Sequence, residues 1–97
     1  MPKAYWVAHV TVTDPETYAE YRAANAEAFE KYGGKFLVRG GRQEVREGDQ
    51  RPRTVVIEFP DRATAEACYD SPEYQRAKAL REVASQGDLV IVDGWDG

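Results

Sequence analysis

The stretch "AYWVAHVTVTDPETYAEY", residues 4–21, decides the fold. Its first nine residues are β-branched and aromatic, the composition of a strand. Asp14 and Pro15 end that strand and open a helix. Aspartate is a preferred N-cap, and proline is tolerated in the first turn because its missing N–H would be unpaired there in any case. Tyr18, Tyr21, Asn25, Ala28, Phe29 and Tyr32 then recur at helical spacing, and Gly33-Gly34 supplies a left-handed stop. The strand also carries a parity signal. Trp6, Ala8, Val10 and Val12 point to one face; Tyr5 and Val7, with His9, point to the other. Both faces of this strand are therefore largely apolar.

Outward from this unit the pattern repeats. "KFLVR" (35–39) begins a second strand, Gly40-Gly41 interrupts it as a bulge would, and "RQEVRE" (42–47) is expected to continue it. "GDQRP" (48–52) reads as a hairpin loop and "RTVVIEF" (53–59) as a third strand. Asp61 caps a short helix over "RATAEACY" (62–69), and Ser71-Pro72 opens a second helical piece expected to close at Gly87. "DLVIVDG" (88–94) is the last strand, with Leu89 and Ile91 on one face and Val90 and Val92 on the other. The order strand-helix-strand-strand-helix-strand predicts an α+β, ferredoxin-like βαββαβ domain over residues 1–97, its antiparallel sheet covered by helices on one face.

Two helices cover one sheet face, and the apolar parity of the outer strands leaves the second face in need of a cover. A second copy related by a two-fold axis is the simplest one, so the sequence predicts a homodimer with sheets face to face, a dimeric α/β barrel. The 97 residues carry a net charge of −4 with no basic block, which argues against nucleic acid or an anionic membrane as partner. No apolar run approaches the roughly 20 residues that span a bilayer. A lone cysteine asks for no oxidising compartment, and a cytoplasmic setting is expected. One His and one Cys exclude a zinc cluster, and no glycine pattern suits a phosphate loop, so neither metal nor cofactor is expected.

What remains is a set of polar side chains in apolar settings. Glu58, inside "TVVIEFP", reads either as a general base or hydroxyl acceptor, or as one half of an ion pair whose arginine is Arg39. Arg39 could equally anchor an anionic ligand. His9 could serve as acid or base, or be a satisfied core histidine. Asn25 falls on the apolar stripe of the first helix and, once buried, needs hydrogen-bond partners. Arg81 borders the inward face of its helix, as ligand anchor or as a surface arginine covering apolar area. Tyr69 and Tyr74 flank the Ser-Pro break and could form pocket walls, although six tyrosines in a small domain also suit a core.

The chain resembles the uncharacterised bacterial family catalogued as domain of unknown function 1330. The resemblance rests on "TDPETYAEY" at 13–21, "YGGKFLVRGG" at 32–41, "VVIEFPDRATAEACYDSPEYQ" at 55–75 and "ALR" at 79–81. It implies the dimeric ferredoxin-like fold, assigns no reaction, and places Arg39, Glu58, Tyr69, Ser71, Tyr74 and Arg81 at the family's polar positions. Cys68 stands where the family pattern usually has tryptophan, and Asp61 where it usually has serine. The expectation is a small organic ligand, acidic or aromatic, held between sheet and helices by Arg39, Arg81, Asn25, Tyr69 and Tyr74, with Glu58 or His9 as acid or base in a cofactor-free enzyme. The alternative is a non-catalytic dimer whose polar groups form an internal salt-bridge network.

Overall fold

A computed structural model describes residues 2–96. Four strands, β1 (Ala4–Val12), β2 (Lys35–Arg39), β3 (Arg53–Phe59) and β4 (Ser85–Asp93), form one antiparallel sheet in the order β2-β3-β1-β4. Four helical segments pack on one face: α1 (Pro15–Ala24), α2 (Ala26–Tyr32), α3 (Arg62–Asp70) and α4 (Pro72–Ala84). This is the ferredoxin-like arrangement that the element order predicts.

The local signals act as expected where they are local. Asp14 Oδ1 accepts the Thr17 N–H at 3.2 Å, and Asp61 Oδ1 accepts that of Thr64 at 2.7 Å. Ser71 Oγ accepts the Tyr74 N–H at 3.1 Å and donates to the Cys68 carbonyl at 2.7 Å, so one hydroxyl ends α3 and begins α4. Gly33 takes φ 71° at the end of α2, a left-handed conformation that favours glycine.

Four sequence expectations are corrected. The first helical stretch is two helices, divided at Asn25. Residues 42–47 form no strand; with Gly40-Gly41 and residues 48–52 they make one exposed connection. The bulge lies earlier, where the β2–β3 register shifts between Phe36 and Val38. Finally, α4 ends at Ala84, and Gly87 lies within β4, opposite Val10. A side chain at Gly87 would collide with the His9 carbonyl, so this glycine serves strand packing and not a helix stop.

The parity argument holds. Ala4, Trp6, Ala8 and Val10 are buried beneath the helices, with Leu89 and Ile91 beside them. Tyr5, Val7 and His9 face the other way, opposite Glu58, Val56 and Thr54 on β3 and Val92, Val90 and Asp88 on β4. Among the described residues no helix covers that outer face, and Val90 and Val92 remain 56% and 46% exposed.

A cleft lined by arginines between sheet and helices

The inner layer differs at its two ends. At one end Trp6 is surrounded by Phe29, Phe59, Tyr69 and Tyr74, with ring centroids 4.8–5.7 Å away, and its indole N–H donates to the Ala65 carbonyl at 3.0 Å. At the other end β1 offers Ala8, paired across the sheet with Val55 and Leu89. The small side chain leaves a gap there. The resulting cleft has a floor of Trp6, Ala8, Val10, Val55, Ile57 and Leu89, and a roof of Tyr18 and Tyr21 on α1. It is narrow: a water molecule's centre can range over only about 30 Å³ of it, although its empty space, mouth included, amounts to about 450 Å³.

Four arginines line this cleft: Arg22 of α1, Arg39 of β2, Arg53 of β3 and Arg81 of α4. Each arrives by a distinct local device. On β2 the bulge at Leu37 adds one residue between Phe36, which pairs with Ile57, and Arg39, which pairs with Val55. That extra residue turns Arg39 to the same inner face as Phe36, and its guanidinium sits 4.2 Å from the Phe36 ring centroid. Arg53 shares strand parity with Val55, Ile57 and Phe59, and its guanidinium lies 5.3 Å from the Tyr18 ring. Gly40, at φ 70°, lies against that guanidinium, and any side chain at position 40 would collide with it. Arg81 projects from the last turn of α4 toward the Tyr21 and Tyr74 hydroxyls.

The electrostatics are one-sided. Arg46, Arg51, Arg62 and Arg76 each have a carboxylate partner within 4.0 Å. Among the described residues, none of the four cleft arginines has one, and no Asp, Glu, His or Cys lines the cleft. Two buried polar atoms there also lack hydrogen-bond partners, Asn25 Oδ1 and Arg53 Nε. Tyr21 and Tyr74 share a hydrogen bond of 2.9 Å between their hydroxyls. Burial raises both phenols above their ordinary value, more than the nearby Arg81 lowers them, so both stay protonated at neutral pH.

Of the residues singled out in the sequence, Arg39, Arg81 and Asn25 meet in this cleft. Glu58 and His9 do not, because residues 58 and 9 have the parity of the outer sheet face. Glu58 pairs with Lys3 at 3.0 Å and not with Arg39, whose guanidinium instead reaches the Arg22 carbonyl at 3.4 Å. The Lys3 hydrogen bond holds the Glu58 carboxyl below its ordinary range, the reverse of what a buried general base requires. Thr54 Oγ1 donates to Gln43 Oε1 at 2.5 Å, which leaves it to accept from His9 Nδ1 at 3.2 Å. Tyr69 and Tyr74 belong to the packed end and are not cleft walls. Tyr74 is fully buried and meets the site from behind, through the Tyr21 hydroxyl and the Trp6 ring. Cys68 is likewise buried at the packed end, away from the cleft, and desolvation pushes its thiol up to about 12. Sequence reading missed Arg22 and Arg53. The signals were present, since Arg22 lies four residues after Tyr18 and Arg53 two before Val55 on the same strand face.

A ferredoxin-like α+β sheet carrying a cationic, aromatic-walled cleft defines the class. Within it, the chain belongs to the family described as "Domain of unknown function (DUF1330)", whose model matches residues 3–95. No curated protein matches the chain in sequence. Solved structures share its fold at low identity. A protein of unknown function from Rhodopseudomonas palustris superposes with a TM-score of 0.81 at 20% identity, covering 99% of this chain and 85% of that one. A dimeric ferredoxin-like protein of unknown function from Jannaschia gives 0.75 at 16% identity, covering 93% and 97%. A cofactor-independent oxygenase, SnoaB of Streptomyces nogalater, gives 0.68 at 15% identity, covering 100% and 97%. These likenesses carry the fold and no activity.

Proposed function

We propose that the protein is a homodimer of which each copy binds a small organic acid, with an aromatic or otherwise apolar body, in the cleft between sheet and helices. One observation carries the ligand reading: in a chain of net charge −4, four arginines converge on an apolar cleft with no carboxylate partner among the described residues. Guanidinium groups favour planar carboxylates bound through two parallel hydrogen bonds, and the aromatic walls suit an apolar body. An internal salt-bridge network, the competing reading, needs acids beside these arginines, and the described residues offer none. The groups suited to acid–base chemistry, Glu58 and His9, face away, so the cleft favours binding over turnover.

The dimer reading rests on the outer sheet face. The molecule measures 37 × 35 × 16 Å, a slab of one sheet and one helical layer. Tyr5, Val7, Val38, Val56, Val90 and Val92 share the outer face as an apolar patch, with Val38, Val90 and Val92 exposed. The Jannaschia relative is a dimer, which accords with a second copy as the cover. A cytoplasmic setting belongs to the same reading, since it suits the buried, reduced Cys68.

The test is calorimetric titration with benzoate, alongside light scattering. Benzoate should bind the wild-type dimer, and Arg39→Ala and Arg81→Ala should each weaken it about tenfold or more while the fold is kept. No binding at millimolar benzoate or comparable aliphatic acids would end the ligand reading. A monomer at micromolar concentration would end the dimer reading.

A further inference from the structure

Arginine explains how the cleft would hold an anion, but it leaves one buried group unanswered. Asn25 stands at the break between α1 and α2, where its backbone N–H still donates to the Tyr21 carbonyl at 2.9 Å and its own carbonyl accepts from Phe29 N–H at 3.2 Å. The backbone of this residue is therefore satisfied. The side chain is 3% exposed, lines the cleft, and leaves Oδ1 without a donor. A buried amide oxygen with no partner costs free energy that folding alone does not recover. The neighbouring tyrosines do not relieve it: Tyr21 meets the amide on its N–H₂ side and bonds to Tyr74, and neither hydroxyl bonds to Asn25 Oδ1.

Arg53 adds the complementary half. Its Nε–H is also buried and unpartnered in the same cleft, a donor where Asn25 offers an acceptor. The cleft is tight, with only about 30 Å³ open to a water molecule's centre, and so suits a polar end group of a ligand rather than its whole body. Arg22 and Arg39 stand exposed at the mouth, where their side chains can swing aside to admit the rest.

We infer that the cleft selects hydroxylated aromatic acids: the carboxylate meets the arginines, and a hydroxyl on the ring donates to Asn25 Oδ1. This rests on the cleft being the organic-acid site argued above, and adds to it the requirement for a donor on the ligand. A site whose buried acceptor needs a donor discriminates against ligands that lack one, because the acceptor is then desolvated and left unpaired.

The experiment is a calorimetric comparison of benzoate, the three hydroxybenzoates and the three matching methoxybenzoates on the wild-type chain, then on Asn25→Leu. At least one hydroxybenzoate should bind about tenfold tighter than benzoate and than its own methoxy partner. The methoxy group fills similar space but donates no hydrogen bond, so it separates hydrogen bonding from size. In Asn25→Leu that preference should vanish, the hydroxybenzoate falling to the affinity of its own methoxy partner. If benzoate and the hydroxybenzoates bind equally, the donor requirement is wrong and the organic-acid site stands. If a methoxybenzoate binds tightest, the buried amide presents its N–H₂ to the cleft and the inference is likewise overturned. If no aromatic acid binds, the donor requirement is wrong, and the organic-acid site falls with it when aliphatic acids fail to bind as well. Should Asn25→Leu not fold, the wild-type series alone decides the question.

Discussion

The two ends of the layer between sheet and helices are made from the same strands, yet they do opposite things. Trp6 and Ala8 are two residues apart on β1 and face the same way. Around Trp6 four rings pack with centroids 4.8–5.7 Å away, Ile57 and Ile91 flank it across the sheet, and its indole N–H is spent on Ala65. Around Ala8 the space is open, the charged groups are all cationic, and Arg53 and the neutral amide of Asn25 are incompletely bonded. The packed end supplies stability, and the open end gives some of it up. That contrast is the physical reason to look for a ligand at one end and not at the other.

The sharpest way to break the contrast is Trp6→Ala. Removing a fully buried indole from a ring cluster costs about 3–5 kcal/mol, a large share of the roughly 5–15 kcal/mol that holds a domain together. Chemical denaturation should show a much lower midpoint or no folded baseline. A loss under 1 kcal/mol would mean that the two ends do not differ as the packing says. Tyr74→Phe probes the joint between the ends. It removes one hydroxyl of the buried Tyr21–Tyr74 pair and should cost about 1 kcal/mol, with a further, smaller loss of benzoate affinity as Tyr21 shifts.

Arg53→Met tests the other end. The substitution keeps an apolar stem and removes a charge that has no acid partner. The loss of the stacking on Tyr18, about 0.5–1 kcal/mol, is offset by removal of a buried, unpartnered Nε–H. Stability should therefore change by less than about 1 kcal/mol, while benzoate binding falls tenfold or more. If Arg53→Met destabilises the chain as severely as Trp6→Ala, then Arg53 is part of the scaffold, and the open end is structural after all.

These outcomes also mark what the sequence could and could not disclose. The alternation of β1 and β4 and the caps at Asp14, Asp61 and Ser71-Pro72 were legible, because each is settled by residues close in the chain. Arg39, Arg81 and Asn25 were legible as polar groups on apolar stripes. What joined them was not. The bulge at Leu37 exists only relative to β3, so no inspection of "KFLVR" could say that Arg39 turns inward with Phe36. Glu58 looked like a partner for Arg39 because both are polar residues at strand ends, but the bulge turns Arg39 inward while Glu58 stays on the outer face, and Lys3 reaches Glu58 from beyond the start of β1. The direction of Tyr74 was hidden for a similar reason. The Ser-Pro break was read correctly, yet the direction of the tyrosine after it depends on Trp6, which is 68 residues away in the chain.

The smallest effect compares the roofs of the two ends. Asp14 caps α1 over the cleft, and Asp61 caps α3 over the packed end. Hydrogen bonds from Thr17 and from Thr64 hold both carboxyls below the ordinary aspartate range. A group whose pKa is lowered by folding stabilises the fold above its unfolded value, near 4, and that contribution is lost as pH falls through the depressed value. Melting temperature should therefore decline below about pH 4. Asparagine keeps the acceptor and removes the titration, so Asp14→Asn with Asp61→Asn should make that decline shallower without abolishing it. Glu58 and Glu73, held low by Lys3 and Lys31, continue to titrate in the same direction. The single variants separate the ends. Asp61→Asn should alter the acid limb of the melting curve alone, whereas Asp14→Asn should also soften the fall in benzoate affinity at low pH, because α1 carries Tyr18, Tyr21 and Arg22 into the cleft. Identical behaviour of the two variants toward benzoate would show that the roof of the cleft does not respond to its own cap.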